Sequence, residues 1–187
     1  MEDARSVCPW WLGYILASPV RRLFESPERL LQPYVRPGMT VVEPGCGMGY
    51  FSLPLARMLG PTGKVVCVDL QEKMIAGLLR RARRAGVAER IVASVCSPDD
   101  LGLAAFKGSA DVSVAIHMVH EVPNPARLLI QLSEVLKPGG LLLIKEPSGH
   151  VTPDAFEQTL VLAERVGLTR THEVMAGRGP SALLRKN

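Results

Sequence analysis

The stretch from Met39 to Tyr50, MTVVEPGCGMGY, constrains this chain more than any other. Met39 to Val42 is apolar and β-branched, which suits a buried strand, and Pro44 and Gly45 end that strand where Gly47 and Gly49 allow a tight turn. Phe51 to Leu59 then reads as a helix. A strand that passes through a glycine turn into a helix is a nucleotide-binding arrangement, because backbone amides can approach a ligand where Cβ atoms are missing. A cofactor is expected here. A dinucleotide fingerprint places glycines at the first, third and sixth positions of the turn, whereas here they fall at Gly45, Gly47 and Gly49 and the sixth position is Tyr50. The bulk of Tyr50 argues against NAD. Glu43, two residues before the first glycine, suits a cationic amine better than a pyrophosphate.

The second strand, Lys64 to Val68, ends at Asp69, twenty residues past Gly49. A carboxylate there can accept two hydrogen bonds from a ribose diol, a geometry common to several adenosine ligands. Its plain alternative is a helix cap for Gln71 onward. The acid and three alternating glycines (Glu43, Gly45, Gly47, Gly49) resemble the first motif of class I S-adenosylmethionine-dependent methyltransferases. A second match is VLKPGGLLLI, from Val135 to Ile144, and the histidine-bearing segment after the fourth strand is similar to that of the ubiquinone and menaquinone biosynthesis methyltransferases. The resemblance covers about residues 35 to 187. It implies an α/β Rossmann-like fold whose seven-stranded, mostly parallel sheet has the order 3-2-1-4-5-7-6 and is flanked by helices. It also implies S-adenosylmethionine as cofactor, S-adenosylhomocysteine as product, and cofactor contacts from Glu43, Gly45, Cys46, Gly47, Gly49, Asp69, Leu70, Ser97, Pro98 and His117.

With 187 residues, 47% of them hydrophobic, the chain can build one sizeable core, so a single domain over 1–187 is expected, with 1–36 as a helical extension or lid. No apolar run approaches the roughly 20 residues that a membrane span needs, and the N-terminus has no clear cleavage site, so the expected compartment is the cytoplasm. Four cysteines without CxxC spacing make neither a disulfide framework nor a metal site. The net charge of +4 is concentrated in Arg80, Arg81, Arg83 and Arg84, a helix face without interleaved aromatics, which argues against nucleic acid as a partner.

Residues 8 to 34 read as two short helices, each announced by a Ser-Pro pair, Ser18-Pro19 and Ser26-Pro27. Trp10, Trp11 and Tyr14 gather there, either as packing or as a lid. Glu72 to Ala85 is an amphipathic helix with Met74, Ile75, Leu78, Leu79 and Ala82 on its apolar side. Strands follow at Arg90 to Val95 and Asp111 to Ile116, then a helix to Leu136, a turn at Lys137 to Gly140, and a fifth strand, Leu141 to Lys145. Ser97 occupies the place where the family often carries an adenine-binding acid. This leaves Asp99 or Asp100 as alternatives, either of which could instead cap the short helix leading to Phe106. A helix from Asp154 to Val166 and a hairpin of Thr169 to Met175 and Ser181 to Arg185 close the chain.

Methyl transfer from a sulfonium needs alignment and, for a protonated acceptor, removal of a proton. His120 is the candidate base, and Glu121 could orient it or bind substrate. The short link from Glu146 to Thr152 leaves little chain for substrate choice, so an open site, a lid from residues 8 to 34, or a homodimer or partner protein stays open. A small-molecule acceptor is expected from the resemblance, with protein or RNA behind it. A binding module that keeps the cofactor without transfer, and an NAD-dependent oxidoreductase, are the competing classes.

Overall fold

The strands of this chain are apolar on both sides because they lie inside a layered sheet. In β1 (Thr40–Pro44) and β2 (Lys64–Asp69), neighbouring residues enter opposite halves of the core, Val41, Val65 and Cys67 one half, Val42, Val66 and Val68 the other. A parallel sheet covered by helices on both faces demands such continuous apolar runs. A computed structural model describes residues 25–171 and 179–187. Its sheet is completed by β3 (Ile91–Val95), β4 (Ala110–Ile116), β5 (Leu136–Lys145), β6 (Leu168–Arg170) and β7 (Ser181–Lys186). Their order is β3-β2-β1-β4-β5-β7-β6, as the sequence led us to expect. Pairing is parallel throughout except for β7, which runs antiparallel to both β5 and β6.

Helices α1 (Pro27–Leu31), α2 (Ser52–Leu59) and α3 (Glu72–Arg84) bury Leu31, Leu55, Leu59 and Leu78 on one face of the sheet. On the other face, α4 (Pro125–Val135) and α5 (Pro153–Arg165) bury Leu129, Leu132, Phe156 and Leu160. Ser26, Asn124 and Thr152 cap α1, α4 and α5 through their side-chain oxygens, and each of these helices has a proline in its first turn. Among the described residues, no helix is long and apolar enough to cross a membrane.

Two local readings need correction. The Lys137–Gly140 turn does not precede β5 but lies within it as a bulge: Ala110 pairs with Leu136 and Val112 with Leu141. A residue in the left-handed region, Gly139 at φ 77°, makes the bulge possible. Neither Asp99 nor Asp100 caps the 3₁₀ turn Ala104–Phe106; Asp100 Oδ1 instead accepts from Gly102 N at 2.8 Å, closing a tighter turn. The first N-terminal helix with Trp10, Trp11 and Tyr14, and much of the expected strand to Met175, lie outside the described residues.

The sheet positions the site through one detail. β1 and β4 pair only at Val41↔Val112 and Val42↔Ser113, with Asp111 Oδ2 accepting from Thr40 N at 2.8 Å near the start of the strands. Glu43 and Pro44 of β1 and Val114 to Ile116 of β4 run beyond the last pair. The strand order reverses here, so the carboxyl ends of the strands frame the crevice where this class of sheet receives ligands.

Candidate cofactor and acceptor site

The donor side is built from one contiguous turn and the acid of the next strand. Gly45 and Gly47 have φ of 64° and 52°, conformations costly for side-chain-bearing residues. They differ in surroundings: a Cβ on Gly45 would lie 3.1 Å from Met118 Cβ, whereas one on Gly47 would meet nothing within 4 Å. Gly45 therefore lets the turn touch the segment after β4, and Gly47 leaves backbone open to a ligand. Gly49 serves packing, since a Cβ there would lie 2.4 Å from Leu78 Cδ1 and 2.6 Å from Leu53 Cδ1.

Asp69 joins this turn directly. Its Oδ2 accepts from Gly47 N and its Oδ1 from Gln71 N, both at 2.9 Å, so Asp69 does not cap α3, whose N-cap is Gln71; one oxygen closes the turn before that helix and the other braces the glycine turn. Burial raises the Asp69 pKa, and the two N–H donors pull it back. Leu70 beside it is 38% exposed, an apolar side chain at the rim. Glu43 lies deeper, buried at the end of β1, where Ser52 Oγ donates to its Oε2 at 2.6 Å. Desolvation pushes its carboxyl up to about 8, with the neighbouring Asp69 charge adding to the rise and the Ser52 bond opposing it. Cys46 is buried too, and its contact with Cys67, then burial, raises its thiol pKa, which removes it as a thiolate nucleophile.

Ser97 and Pro98 are exposed on the loop after β3. Ser97 Oγ accepts from Asp100 N at 3.0 Å and Ser97 N donates to Asp100 O at 2.9 Å, while Cys96 N donates to Asp69 O at 3.0 Å. These bonds tie the loop's first residues to the end of β2.

The acceptor side comes from residues far apart in sequence. His117, straight after β4, holds φ at 57° without being glycine, a strained conformation that Lys145 O helps to fix by accepting His117 N–H at 2.7 Å. Its Nε2 lies 2.9 Å from Glu25 Oε2, and its buried Nδ1 has no hydrogen-bond partner among the described residues. Glu25 also accepts Tyr50 O–H on its carbonyl at 2.5 Å, so the residue just before α1 bridges the glycine turn and the β4 end. His120, in the 3₁₀ turn Val119–Glu121, is held by Glu146: Oε1 accepts the His120 backbone N–H at 3.1 Å and Oε2 lies 2.7 Å from Nδ1. Glu121 Oε1 is 3.9 Å from Nε2, so of the two carboxylates beside the ring Glu146 is the nearer. Among the described residues no cluster of His, Cys, Asp or Glu could hold a metal ion.

The sequence profile of a family described as a methyltransferase domain matches residues 36–176. The chain belongs to this family. It is of the class I S-adenosylmethionine-dependent kind. The ubiquinone biosynthesis O-methyltransferase of Xanthomonas campestris is 29% identical over 160 residues, 84% of this chain and 63% of that protein. The demethylmenaquinone methyltransferase of Lactococcus lactis is 28% identical over 125 residues, 67% of this chain and 48% of that protein. This methyltransferase domain thus spans about half to two thirds of the length of these curated relatives. A solved S-adenosylmethionine-dependent methyltransferase from Aquifex aeolicus has the same fold, with a TM-score of 0.82, 22% identity, and coverage of 96% of this chain and 98% of that one.

The residues present fit S-adenosylmethionine. The space over Gly47 is open, the Asp69 carboxylate lies beside it and Leu70 is exposed next to both, groups that could serve as a backbone cradle, a diol acceptor and an apolar rim. Of the residues named from sequence, Glu43, Cys46, Gly47, Asp69 and Leu70 gather at the ends of β1 and β2. Gly45 lies at the contact between the turn and the acceptor side, and Gly49 faces α3. His117 is on the acceptor side with His120. Glu146 escaped the sequence reading, and one signal was available: it follows β5 directly, at the same sheet edge as Glu43 and Asp69.

Proposed function

We propose that this chain transfers a methyl group from S-adenosylmethionine to a small-molecule acceptor. One observation carries the reading: Asp69 is bonded to Gly47 in a turn that touches the histidine segment through Gly45 and Met118, which sets a donor site against a proton acceptor. When bound, S-adenosylmethionine supplies a methyl group on a sulfonium. In this proposal Gly45, Cys46 and Gly47 line the donor, Asp69 holds its ribose, and Glu43 lies near its ammonium group. Leu70, Ser97 and Pro98 flank its adenine, and His117 faces it from β4. His120 takes the acceptor's proton on Nε2. The two quinone-pathway relatives act on small molecules by their names, which supports that class of acceptor.

Thermal unfolding tests the proposal. S-adenosylhomocysteine at about 100 times its dissociation constant stabilises by roughly 2.7 kcal/mol, a rise of several degrees in a domain of this size. NADH is expected to give no shift. A chain unmoved by S-adenosylhomocysteine, or moved equally by NADH, contradicts the proposal.

A further inference from the structure

We infer that Glu146 is the positioning residue of the acceptor side, fixing both the ring orientation and the tautomer of His120 so that Nε2 is the nitrogen that accepts a proton. The inference rests on the reading above that this end of the sheet receives the acceptor. Glu146 is 2% exposed and contacts His120 twice, through the backbone N–H at 3.1 Å and through Nδ1 at 2.7 Å. With Oε1 already accepting the backbone N–H, a carboxylate that accepts through Oε2 as well takes its hydrogen from Nδ1, which leaves the lone pair on Nε2. The second contact removes the freedom that a single bond would leave, because the carboxylate is anchored to the backbone of the residue whose ring it orients.

Glu146 is itself held in place. Its N–H donates to Pro180 O at 2.8 Å, and Gly179 packs so closely that a Cβ there would lie 2.3 Å from Glu146 O. The turn entering β7 therefore clamps the residue that orients the base. Glu121 approaches the other ring nitrogen and less closely, its Oε1 lying 3.9 Å from Nε2, beyond direct hydrogen-bond reach. The ring of His150 lies 6.1 Å from that of His120 between centroids, tilted by 51°. In the proposed reaction the acceptor's proton moves to Nε2, the acceptor atom keeps the electron pair, and the imidazolium so formed is balanced by the Glu146 carboxylate. Such a base serves an acceptor that arrives protonated at its nucleophilic atom.

The tautomer can be read without a substrate. Long-range nitrogen–proton correlation spectra of the full chain with S-adenosylhomocysteine, at about pH 8.5 where an ordinary histidine is neutral, report which nitrogen carries the proton. His120→Gln assigns the signal. The wild type is expected to be protonated at Nδ1. Glu146→Gln is expected to move the proton to Nε2, because the His120 backbone N–H can only donate. The glutamine oxygen must then face that N–H and its amide must face Nδ1. A wild-type ring protonated at Nε2, or an unchanged tautomer in a folded Glu146→Gln chain, overturns the inference. If Glu146→Gln does not fold, the wild-type spectrum alone decides. The unfolding midpoint of the same wild-type sample separates the two readings: no rise with S-adenosylhomocysteine defeats the methyltransferase proposal, while the tautomer still judges Glu146.

Discussion

The two sides of the crevice are built in opposite ways. The proposed donor side is nearly continuous at its centre: Glu43 to Gly49 supplies the turn, and Asp69, from the next strand, reaches back to Gly47 N at 2.9 Å. The acceptor side is assembled over long separations, with His120 and Glu146 apart by 26 positions and Glu25 and His117 by 92. A ligand shared by a whole family can be held by backbone, and backbone geometry demands glycines at fixed spacing. An acceptor that differs between relatives is met by side chains, which any nearby element can provide. The first kind of site has a motif and the second does not.

The largest effect that would break this division is at His120. His120→Ala is expected to lower methyl transfer about 10²- to 10⁴-fold, the usual range for a lost general base, while leaving S-adenosylhomocysteine affinity unchanged. Turnover equal to wild type would remove His120 from the chemistry and leave the acceptor side without its defining group.

Glu43 tests the buried end of the donor side through pH. Its carboxyl titrates at about 8 in the folded chain against a usual 4.5, so the folded state keeps a proton that the unfolded state has already released. This contribution to stability is fully present below about pH 4.5 and is lost as pH rises through about 8. Glu43→Gln carries no titrating group, so its stability relative to wild type should climb over that window, by on the order of a few kcal/mol. Urea midpoints at several pH values measure it, and parallel curves for the two proteins would contradict the burial argument.

The glycines divide the donor turn itself. Gly49→Ala forces a Cβ onto Leu53 and Leu78 at φ 83°, which should add an overpacking cost of about 1–3 kcal/mol, moderated by the flexible ends of both leucines, to a backbone strain of about 1–2 kcal/mol. Gly47→Ala meets open space at φ 52°, so its cost is the backbone strain alone, about 1–2 kcal/mol, while its methyl projects where the cofactor is placed. Unfolding midpoints paired with S-adenosylhomocysteine titrations should therefore rank the two variants in opposite orders. The smallest effect belongs to Glu25, which bridges the two sides through Tyr50 and His117. Glu25→Gln keeps the Tyr50 contact, which the backbone carbonyl makes, and replaces only the hydrogen bond to His117, so it should cost about 1 kcal/mol by the same urea measurement.

These contrasts explain what was legible beforehand. Apolar runs and the glycine turn disclosed the individual strands and the strand–turn–helix around Gly45 to Gly49, because each is a local consequence of burial or backbone conformation, whereas the strand order followed from the family resemblance. The bulge within β5 depends on pairing with β4, which periodicity does not record. Glu146 was read only as the start of the link to Thr152, because nothing local in sequence records its contact with His120. Space favoured the residue at the end of β5, where the β4 segment folds back against it. Asp69 was read as either a cap or a ribose ligand, and the structure gives one oxygen to Gln71 and the other to the glycine turn.

The most direct measurement is calorimetric titration of S-adenosylhomocysteine into the wild type, Asp69→Ala and His120→Ala. Removing Asp69 deletes a charged hydrogen-bond acceptor, a loss of about 1.5–3 kcal/mol, or roughly 10- to 100-fold in affinity, and removing His120 should change almost nothing. Affinity lowered about tenfold or more by both substitutions, or by neither, would contradict a donor site that is separate from the acceptor's base.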